Sequence, residues 1–228
     1  MTITTCIFDA YGTLFDVSAA ARIAASEPGR DDLAACWQKL ASDWRLKQLQ
    51  YTWLRAVADA HDDFWEVTQN GLDWAMENNG LNDAELRERL LQLYWELQAN
   101  AELPKILGQL KQAGINTGIL SNGSPAMLEG AVSSAGVGEM LDDTLSVESV
   151  GVFKPHKKVY DLVGQRFGCA PKEVLFVSSN GWDAAGAAGY GFQTVWVNRA
   201  VEPMDRLPWT PSHVLSDLTS IPDLAAKI

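Results

Sequence analysis

The residues of this chain that are suited to chemistry come directly after short apolar runs. They are Asp9 after the run 3–8, Ser121-Asn122 after the run 115–120, and the segment from Ser178 to Asp183 at the end of the run 174–178. A carboxylate at a strand end can act as a nucleophile or a general base, and neighbouring hydroxyl and amide groups can hold the reacting molecule. A single Asp there is often only a turn or cap residue, but its companions at later strand ends favour a reactive site.

The apolar runs themselves have the length and the β-branched content of buried strands. Two further runs, 194–197 and 214–215, follow later in the chain, and helical patterns lie between the runs at 104–113, 127–135 and 159–167. This alternation predicts an α/β fold whose core is a doubly wound, Rossmann-like parallel sheet. In such sheets the carboxyl ends of the strands share one edge, so the polar residues should meet there.

The chain between the first two predicted strands is about a hundred residues long, whereas a crossover connection needs only about thirty. Apolar residues in this stretch recur at helical spacing, namely Leu33, Cys36, Trp37, Leu40 and Trp44, and then Leu86, Leu90, Leu93 and Leu97. We therefore predict a helical insertion over 16–97, with 1–15 and 98–228 forming the sheet-bearing core. Six of the nine tryptophans fall within the insertion, and we interpret them as its core.

Composition narrows the range of partners. The chain has 228 residues and a formal net charge of -11, so a nucleic acid backbone or an anionic membrane surface would repel it. No stretch is long and apolar enough to span a bilayer. The three cysteines are widely spaced and odd in number, which favours reduced thiols and a cytoplasmic location.

The polar residues also occur in a familiar order along the chain. Asp9 to Thr13, Ser121-Asn122, Lys154, and Ser178 to Asp183 resemble the four motifs of the haloacid dehalogenase superfamily of aspartyl-nucleophile hydrolases. The match extends further, because DAYGTLFD, WRLKQLQYTWLR, ILSNGSP, FKPHKKVY and FVSSNGWD resemble the signatures of its (S)-2-haloacid dehalogenase branch. The second of these fragments lies in the insertion, where superfamily members otherwise differ most. The resemblance implies a Rossmann-like core with a helical cap subdomain.

One departure from the general superfamily pattern bears on metal binding. Phosphatase members carry a second Asp two residues after the nucleophile, and here that position is Tyr11. The fourth motif offers Asn180 and Asp183 without the acidic pair that holds magnesium in those members, and a hard cation wants several carboxylate oxygens. We therefore predict a reaction without metal or other cofactor. A magnesium-dependent phosphatase stays the alternative, and a binding or regulatory protein that retained the fold is a third interpretation.

The resemblance implies a role for each candidate residue. Asp9 is the nucleophile, Arg45 stabilises the departing halide, and Lys154 orients Asp9 and holds it ionised. The remaining catalytic residues under this resemblance are Thr13, Ser178, Asn180 and Asp183. The residues implied in substrate binding are Tyr11, Leu49, Phe64, Ser121, Asn122, Tyr160 and Trp182.

Most of these residues also have an ordinary structural interpretation. Arg45 could form a surface salt bridge, and Lys154 could be a solvated surface lysine. Ser121 and Asn122 could cap a helix, and Asp183 could be a helix N-terminal charge. The apolar and aromatic members are more often core residues. Leu46 stands where the branch leads us to expect Gln, which predicts a different substrate range.

The predicted reaction follows from the resemblance. Asp9 attacks C2 of an (S)-2-haloalkanoic acid and expels halide with inversion, and water then hydrolyses the aspartyl ester to release the (R)-2-hydroxy acid. The partners implied are the small haloacid and the halide, with no nucleic acid and no membrane. A homodimer formed through the insertion is a further expectation from the resemblance.

Overall fold

The computed structural model describes residues 2–228 and is built around one sheet of six parallel strands. The strands are β1 (Thr5–Phe8), β2 (Asn116–Ser121), β3 (Asp143–Ser146), β4 (Val174–Ser178), β5 (Gln193–Val197) and β6 (His213–Leu215). Their spatial order is β3-β2-β1-β4-β5-β6, which reverses direction at β1 as a doubly wound sheet does. The predicted α/β fold is confirmed.

The register of the central strands decides where their ends lie. Phe8 of β1 is level with Ile119 of β2 and with Val177 of β4. The residues that follow, among them Asp9 and Ser178, therefore emerge at one edge of the sheet. The central strands are buried on both faces, as their continuous apolar sequences require.

Ten α-helices accompany the sheet in the described part of the chain. Five precede β2 within the predicted insertion, namely α1 (Ala19–Ala25), α2 (Asp31–Ala34), α3 (Trp37–Val57), α4 (Phe64–Asn78) and α5 (Ala84–Trp95). The others flank the sheet, namely α6 (Leu103–Gln112), α7 (Pro125–Ala135), α8 (Lys157–Phe167), α9 (Gly181–Tyr190) and α10 (Ile221–Lys227). Between residues 2 and 228, no helix has both the length and the apolar character needed to cross a bilayer.

Local sequence signals account for the ends of the helices in the insertion. The Asp63 carboxylate accepts a hydrogen bond from the Trp65 N–H at the start of α4, and Asp83 accepts one from Leu86 N–H at the start of α5. Among the six tryptophans, Trp44 is buried and donates its indole N–H to the Thr68 carbonyl, which ties α3 to α4. The other five are half-buried.

The structure departs from the predicted elements in several places, and helices α1, α4 and α10 have no predicted counterpart. Strand β3 was not predicted, because Asp143 and Thr144 interrupt its apolar pattern and its position at the sheet edge leaves half of it uncovered. The repeat that begins at Leu33 is divided between α2 and α3 by a break before Trp37. Leu97 lies beyond the end of α5, although it is buried. The other predicted strands and helices agree within about two residues.

Candidate active site

The Asp9 carboxylate lies at the carboxyl end of β1 and is 5% exposed. Its Oδ2 atom accepts hydrogen bonds from Thr13 Oγ1 at 2.8 Å and from Asn180 Nδ2 at 2.9 Å. Its Oδ1 atom accepts from Lys154 Nζ at 3.2 Å. Gly12 has φ +91°, a left-handed conformation that lets the loop turn back so that Thr13 reaches Asp9. The carboxylate is thus fixed in orientation by donors from three parts of the chain.

The Thr13 hydroxyl has a defined hydrogen-bond direction. Its oxygen accepts the backbone N–H of Ser179 at 2.7 Å, so its own proton is directed to Asp9. This contact ties the loop after β1 to the loop after β4. The predicted pairing of these two strand ends is therefore present in the structure as a direct hydrogen-bonded link.

Lys154 lies between two carboxylates in the interior, with its side chain 1% exposed. Its ammonium group is 3.2 Å from Asp9 Oδ1 and 2.9 Å from Asp183 Oδ2. Burial alone would lower the pKa of Lys154, but the charges of Asp183 and Asp9 outweigh it and raise the pKa above its ordinary value. Asn122 Oδ1 accepts the Lys154 backbone N–H at 2.9 Å, which fixes the segment that carries the lysine.

Asp183 lies in the first turn of α9 and is completely buried. Its Oδ1 atom accepts a hydrogen bond from Tyr160 Oη at 2.8 Å, and its Oδ2 atom accepts from Lys154. Burial raises the pKa of Asp183, while the neighbouring lysine works against that rise. Burial also holds the pKa of Tyr160 well above its usual range, so this phenol remains a donor.

Arg45 reaches from α3 in the insertion to the edge of the sheet. Its Nη2 atom donates to the Tyr11 carbonyl at 3.0 Å and to Asn180 Oδ1 at 3.1 Å. Asn180 therefore bridges the guanidinium and Asp9, because its amide oxygen faces Arg45 and its amide nitrogen faces the carboxylate. Arg45 does not form a surface salt bridge with any described residue. Its hydrogen-bond acceptors are the Tyr11 carbonyl and the side-chain amide oxygens of Asn180 and Gln48.

A small, nearly closed cavity lies where these groups converge, with about 10 Å³ of space for the centre of a water-sized sphere. It is lined by Asp9, Tyr11, Arg45, Leu49, Phe64, Ser121, Asn122, Lys154, Asn180 and Trp182. This is about the space that one water molecule needs, so the lining side chains must move apart to admit even a small substrate. The indole N–H of Trp182, one of the lining residues, is buried and has no hydrogen-bond partner among residues 2–228.

Four predicted site residues lie behind the cavity rather than on its surface. They are Thr13, Ser178, Tyr160 and Asp183. Ser178 Oγ accepts the Asn180 backbone N–H at 3.1 Å, and within the described chain it makes no hydrogen bond to Asp9. Leu46 also lies outside the cavity, on the outer face of α3, where it is 57% exposed.

Two further residues near the site were not predicted. Arg199 follows β5 and donates to Ser179 Oγ at 2.7 Å and to the Thr13 carbonyl at 3.3 Å. The rule that polar residues at strand ends gather at one edge could have found it. Tyr94 on α5 stacks on Tyr11 with ring centroids 5.8 Å apart and an interplanar angle of 9°. No sequence signal pairs these two rings, because their contact depends on how the helices pack.

The donor set at this edge does not fit a divalent cation. The two buried carboxylates share the ammonium group of Lys154, which occupies the space between them. Magnesium needs near-octahedral oxygen coordination, and Tyr11 offers a ring at the position where a second Asp would supply an oxygen. The described residues contain no group of three His, Cys, Asp or Glu side chains placed to hold a metal.

Comparison with known proteins bears on the identity of this fold and site. The haloacid dehalogenase-like hydrolase family matches residues 3–191. The chain belongs to this family. The resemblance predicted from the motifs is thereby confirmed, and this haloacid dehalogenase-like hydrolase can be compared with individual relatives.

The relatives of this haloacid dehalogenase-like hydrolase include proteins named as (S)-2-haloacid dehalogenases and solved structures. The (S)-2-haloacid dehalogenase 1 of Pseudomonas sp. (strain CBS-3) is 41% identical over 98% of this chain and 96% of its own. The (S)-2-haloacid dehalogenase of Pseudomonas sp. (strain YL) is 39% identical over 95% and 92%. The L-2-haloacid dehalogenase of Xanthobacter autotrophicus, solved with chloropropionic acid covalently bound, is 34% identical, covers 98% of both chains and superposes with a TM-score of 0.86.

Proposed function

We propose that this chain hydrolyses the carbon-halogen bond of (S)-2-haloalkanoic acids and yields (R)-2-hydroxyalkanoic acids. The observation that carries the proposal is the convergence of the Asp9 carboxylate and the Arg45 guanidinium on one small cavity. The position two residues after Asp9, where phosphatase members place an acid for the leaving group, is occupied by Tyr11. A halide leaves as a stable anion and needs no such acid. The names of the relatives support the same reaction.

The substrate carboxylate is assigned to the loop before α7. Ser121 and Asn122 line the cavity there, and the free N–H groups at the start of that helix favour an anion. The rings of Tyr11, Phe64 and Trp182 form apolar walls against the alkyl group. Such walls also exclude water from the nucleophile, which strengthens the electrostatic contacts within the cavity.

In the first step, an Asp9 oxygen forms a bond to C2 as the carbon-halogen bond breaks on the opposite side. The bonding pair leaves with the halide, C2 is inverted, and an aspartyl ester is formed. Arg45 stabilises the departing anion, a task suited to a permanent and weakly hydrated cation. Thr13 and Asn180 hold the carboxylate in the orientation that the attack requires.

In the second step, water attacks the ester carbonyl of Asp9 and the hydroxy acid is released. Asp9 is regenerated with an oxygen atom from that water. Lys154 lies beside the carbonyl and stabilises the developing negative charge. Asp183 does not line the cavity, so it takes one proton of the attacking water through the Lys154 ammonium group between them, and that proton returns the same way to the departing alkoxide oxygen of the product. The second water proton leaves to solvent as Asp9 ionises again. Tyr160 acts here as a positioning residue for Asp183.

The decisive experiment measures halide release from each enantiomer of 2-chloropropanoate, in parallel reactions with and without a chelator. We expect release from the (S) form and at least about a hundredfold less from the (R) form, because the wrong hand places the halogen away from the line of attack. We expect the same rates without chelator. The control substrate is a small phosphate ester with added magnesium.

Three outcomes of this experiment would contradict the proposal in whole or in part. Absence of halide release from both enantiomers excludes this substrate class. Phosphate release that disappears with chelator establishes instead the magnesium-dependent phosphatase that the shared motifs allow. Release from both enantiomers at equal rates contradicts the (S) preference alone.

We propose the division of the chain into a helical cap over 16–97 and a core formed by 1–15 and 98–228. The two chain segments that connect these parts lie side by side, which supports this boundary. The Asp16 backbone N–H donates to the Gln98 carbonyl at 3.1 Å, and the Asn100 N–H donates to the Leu14 carbonyl at 2.8 Å.

The free thiols of the three described cysteines support the further proposal of a reducing, cytoplasmic location.

We also propose that the chain forms a homodimer through the cap. Leu46, Leu54 and Val57 lie at helical spacing on α3 and are 57%, 58% and 87% exposed. We expect light scattering to give about twice the chain mass of 24.9 kDa at two protein concentrations. Leu54→Glu should give the monomer mass, because the charge would be buried without a partner.

The matched control for the dimer is Leu207→Glu, which places the same charge at another exposed leucine outside the cap. This variant should keep the dimer mass. A monomer mass for the wild-type chain at both concentrations contradicts the dimer, and an unchanged dimer in the Leu54 variant contradicts the proposed interface.

A further inference from the structure

Gln48 is a buried polar residue that lies one turn beyond Arg45 on α3 and is 1% exposed. Its Oε1 atom accepts a hydrogen bond from Arg45 Nη1 at 2.7 Å. Its Nε2 atom donates to Thr68 Oγ1 at 2.7 Å and to Tyr94 Oη at 3.1 Å. Gln48 is absent from the cavity surface, so its contact with the site passes through the guanidinium.

The orientation of the Gln48 amide is determined by its partners. A guanidinium has no acceptor, so the amide must turn its oxygen to Arg45 and its nitrogen to the opposite side. On that side Thr68 Oγ1 donates its own proton to the Phe64 carbonyl at 2.7 Å, which leaves a lone pair for Gln48 Nε2. The hydrogen bonds therefore run in one direction from α3 into α4, and the amide cannot flip without breaking several of them.

The contacts of Gln48 continue through Tyr94 and Tyr11 and return to the Arg45 guanidinium. Tyr94 bonds to Gln48 and stacks on Tyr11, and the Tyr11 carbonyl accepts the other side of Arg45. Gly71 permits the close packing that these contacts need, because a Cβ atom there would lie 3.2 Å from the Gln48 backbone nitrogen. Arg45 is thus held from the insertion on one side and from the loop after β1 on the other.

We infer that Gln48 is a positioning residue for halide departure, acting by fixing the Arg45 guanidinium over the reacting carbon. This inference rests on the proposed function and assigns a residue that does not touch the substrate. A long arginine side chain has many rotamers, and an acceptor fixed on a buried helix face removes most of that freedom. A guanidinium placed in advance stabilises the leaving anion without reorganisation.

The leaving group provides a specific readout. Chloride is a poorer leaving group than bromide and depends more on stabilisation by the guanidinium. We expect Gln48→Met, which keeps the volume and removes the acceptor, to lower kcat about tenfold with (S)-2-chloropropanoate and only about threefold with (S)-2-bromopropanoate. A general loss of folded protein would lower both rates by the same factor.

Two threonine variants provide a second test that leaves Gln48 in place. Thr68→Val removes the partner of the amide nitrogen, and Thr52→Val removes a hydroxyl of the same kind on α3 that bonds only the Leu49 carbonyl. Both variants lose the hydrogen bond from the threonine hydroxyl to a backbone carbonyl of its own helix, and the Thr68 variant alone also loses the bond from Gln48. We expect a raised bromide-to-chloride rate ratio for the Thr68 variant and an unchanged ratio for the Thr52 variant.

A double-mutant cycle tests whether Gln48 acts through the guanidinium. In the background of Arg45→Lys, adding Gln48→Met should change kcat less than about twofold, because the group that it positions is already lost. Independent effects that multiply across the two positions would overturn the inference. Equal losses with both halogens in the Gln48 and Thr68 variants would overturn it as well.

The outcome for the wild-type chain separates the two proposals. Halide release from the wild type together with equal losses for both halogens rejects the role of Gln48 and leaves the proposed function intact. No halide release from the wild type rejects the proposed function and this inference together. If the Gln48 variant does not fold, the bromide-to-chloride rate ratios of the Thr68 and Thr52 variants decide the test.

Discussion

Asp9→Asn is expected to lower halide release by roughly 10⁴-fold or more, which is the scale of loss when an enzyme loses its nucleophile. The amide has nearly the shape of the carboxylate, so the loop after β1 is retained. In either orientation the amide nitrogen meets a donor that it cannot accept from, Lys154 at the Oδ1 position or Thr13 and Asn180 at the Oδ2 position. The measurement is the rate of halide release from (S)-2-chloropropanoate at saturating concentration.

The control for this variant is Asp16→Asn, which changes a carboxylate near the same loop but outside the cavity. Asp16 accepts from the Ser18 N–H and from Arg22 and has no contact with Asp9. This control should keep nearly full activity.

Single-turnover reaction in heavy-oxygen water should place the label in Asp9 before it reaches product. Label that enters the product in the first turnover would exclude the ester intermediate.

Lys154→Met should impair both catalysis and stability. The variant leaves Asp9 and Asp183 buried without their shared cation, and removing one partner of a buried ion pair costs about 3–5 kcal/mol in the free energy of unfolding. Steady-state halide release should fall roughly 10³-fold, because the charge that develops on the ester carbonyl in the second step loses its stabilising ammonium group. Denaturant unfolding and the halide assay measure the two effects.

The pH dependence of this stability difference has a definite sign. The fold raises the pKa of Lys154 above its ordinary value of 10.5, so the lysine contributes stability that is fully present below that value. The contribution is lost as pH rises through the higher pKa of the folded state. The difference in unfolding free energy between wild type and variant should therefore be constant from neutral pH to about pH 10.5 and should shrink at higher pH.

The matched control is Lys158→Met, which removes an exposed lysine from the start of α8. Its unfolding free energy should change by no more than about 0.5 kcal/mol, as is usual for surface substitutions. A Lys154 variant that is as stable as this control would contradict the buried ion cluster. A Lys154 variant that loses stability and keeps full activity would contradict the catalytic role alone.

The fold was largely predictable because the central strands are buried on both faces and have continuous apolar sequences. The strand that sequence reasoning missed, β3, lies at the edge, and exposed residues such as Thr144 carry little apolar signal. The positions of Asp9 and Asn122 followed from the rule that parallel strands present their carboxyl ends together. The rule needs only the order of strands and helices along the chain, and that order can be read from the sequence.

The finer geometry of the site was less predictable. Motif order placed Ser178 and Tyr160 near the reaction, but it does not determine which side chain faces the cavity and which one supports a neighbour. Ser178 holds the Asn180 backbone, and Tyr160 holds Asp183. The contact of Gln48 with Tyr94 depends on the packing of helices far apart in sequence, and periodicity within one helix contains no information about that packing.

Arg45 belongs to the helical insertion, whereas Asp183 belongs to the sheet edge. In the proposed mechanism the first residue serves only halide departure and the second serves only ester hydrolysis, so the two halves of the turnover have separate structural origins. Changes on α3 slow the pre-steady-state burst of halide, and changes around Asp183 slow the later phase so that the intermediate accumulates. A lineage with this architecture can therefore adapt to a new halogen through its insertion while the hydrolytic half of the enzyme stays as it is.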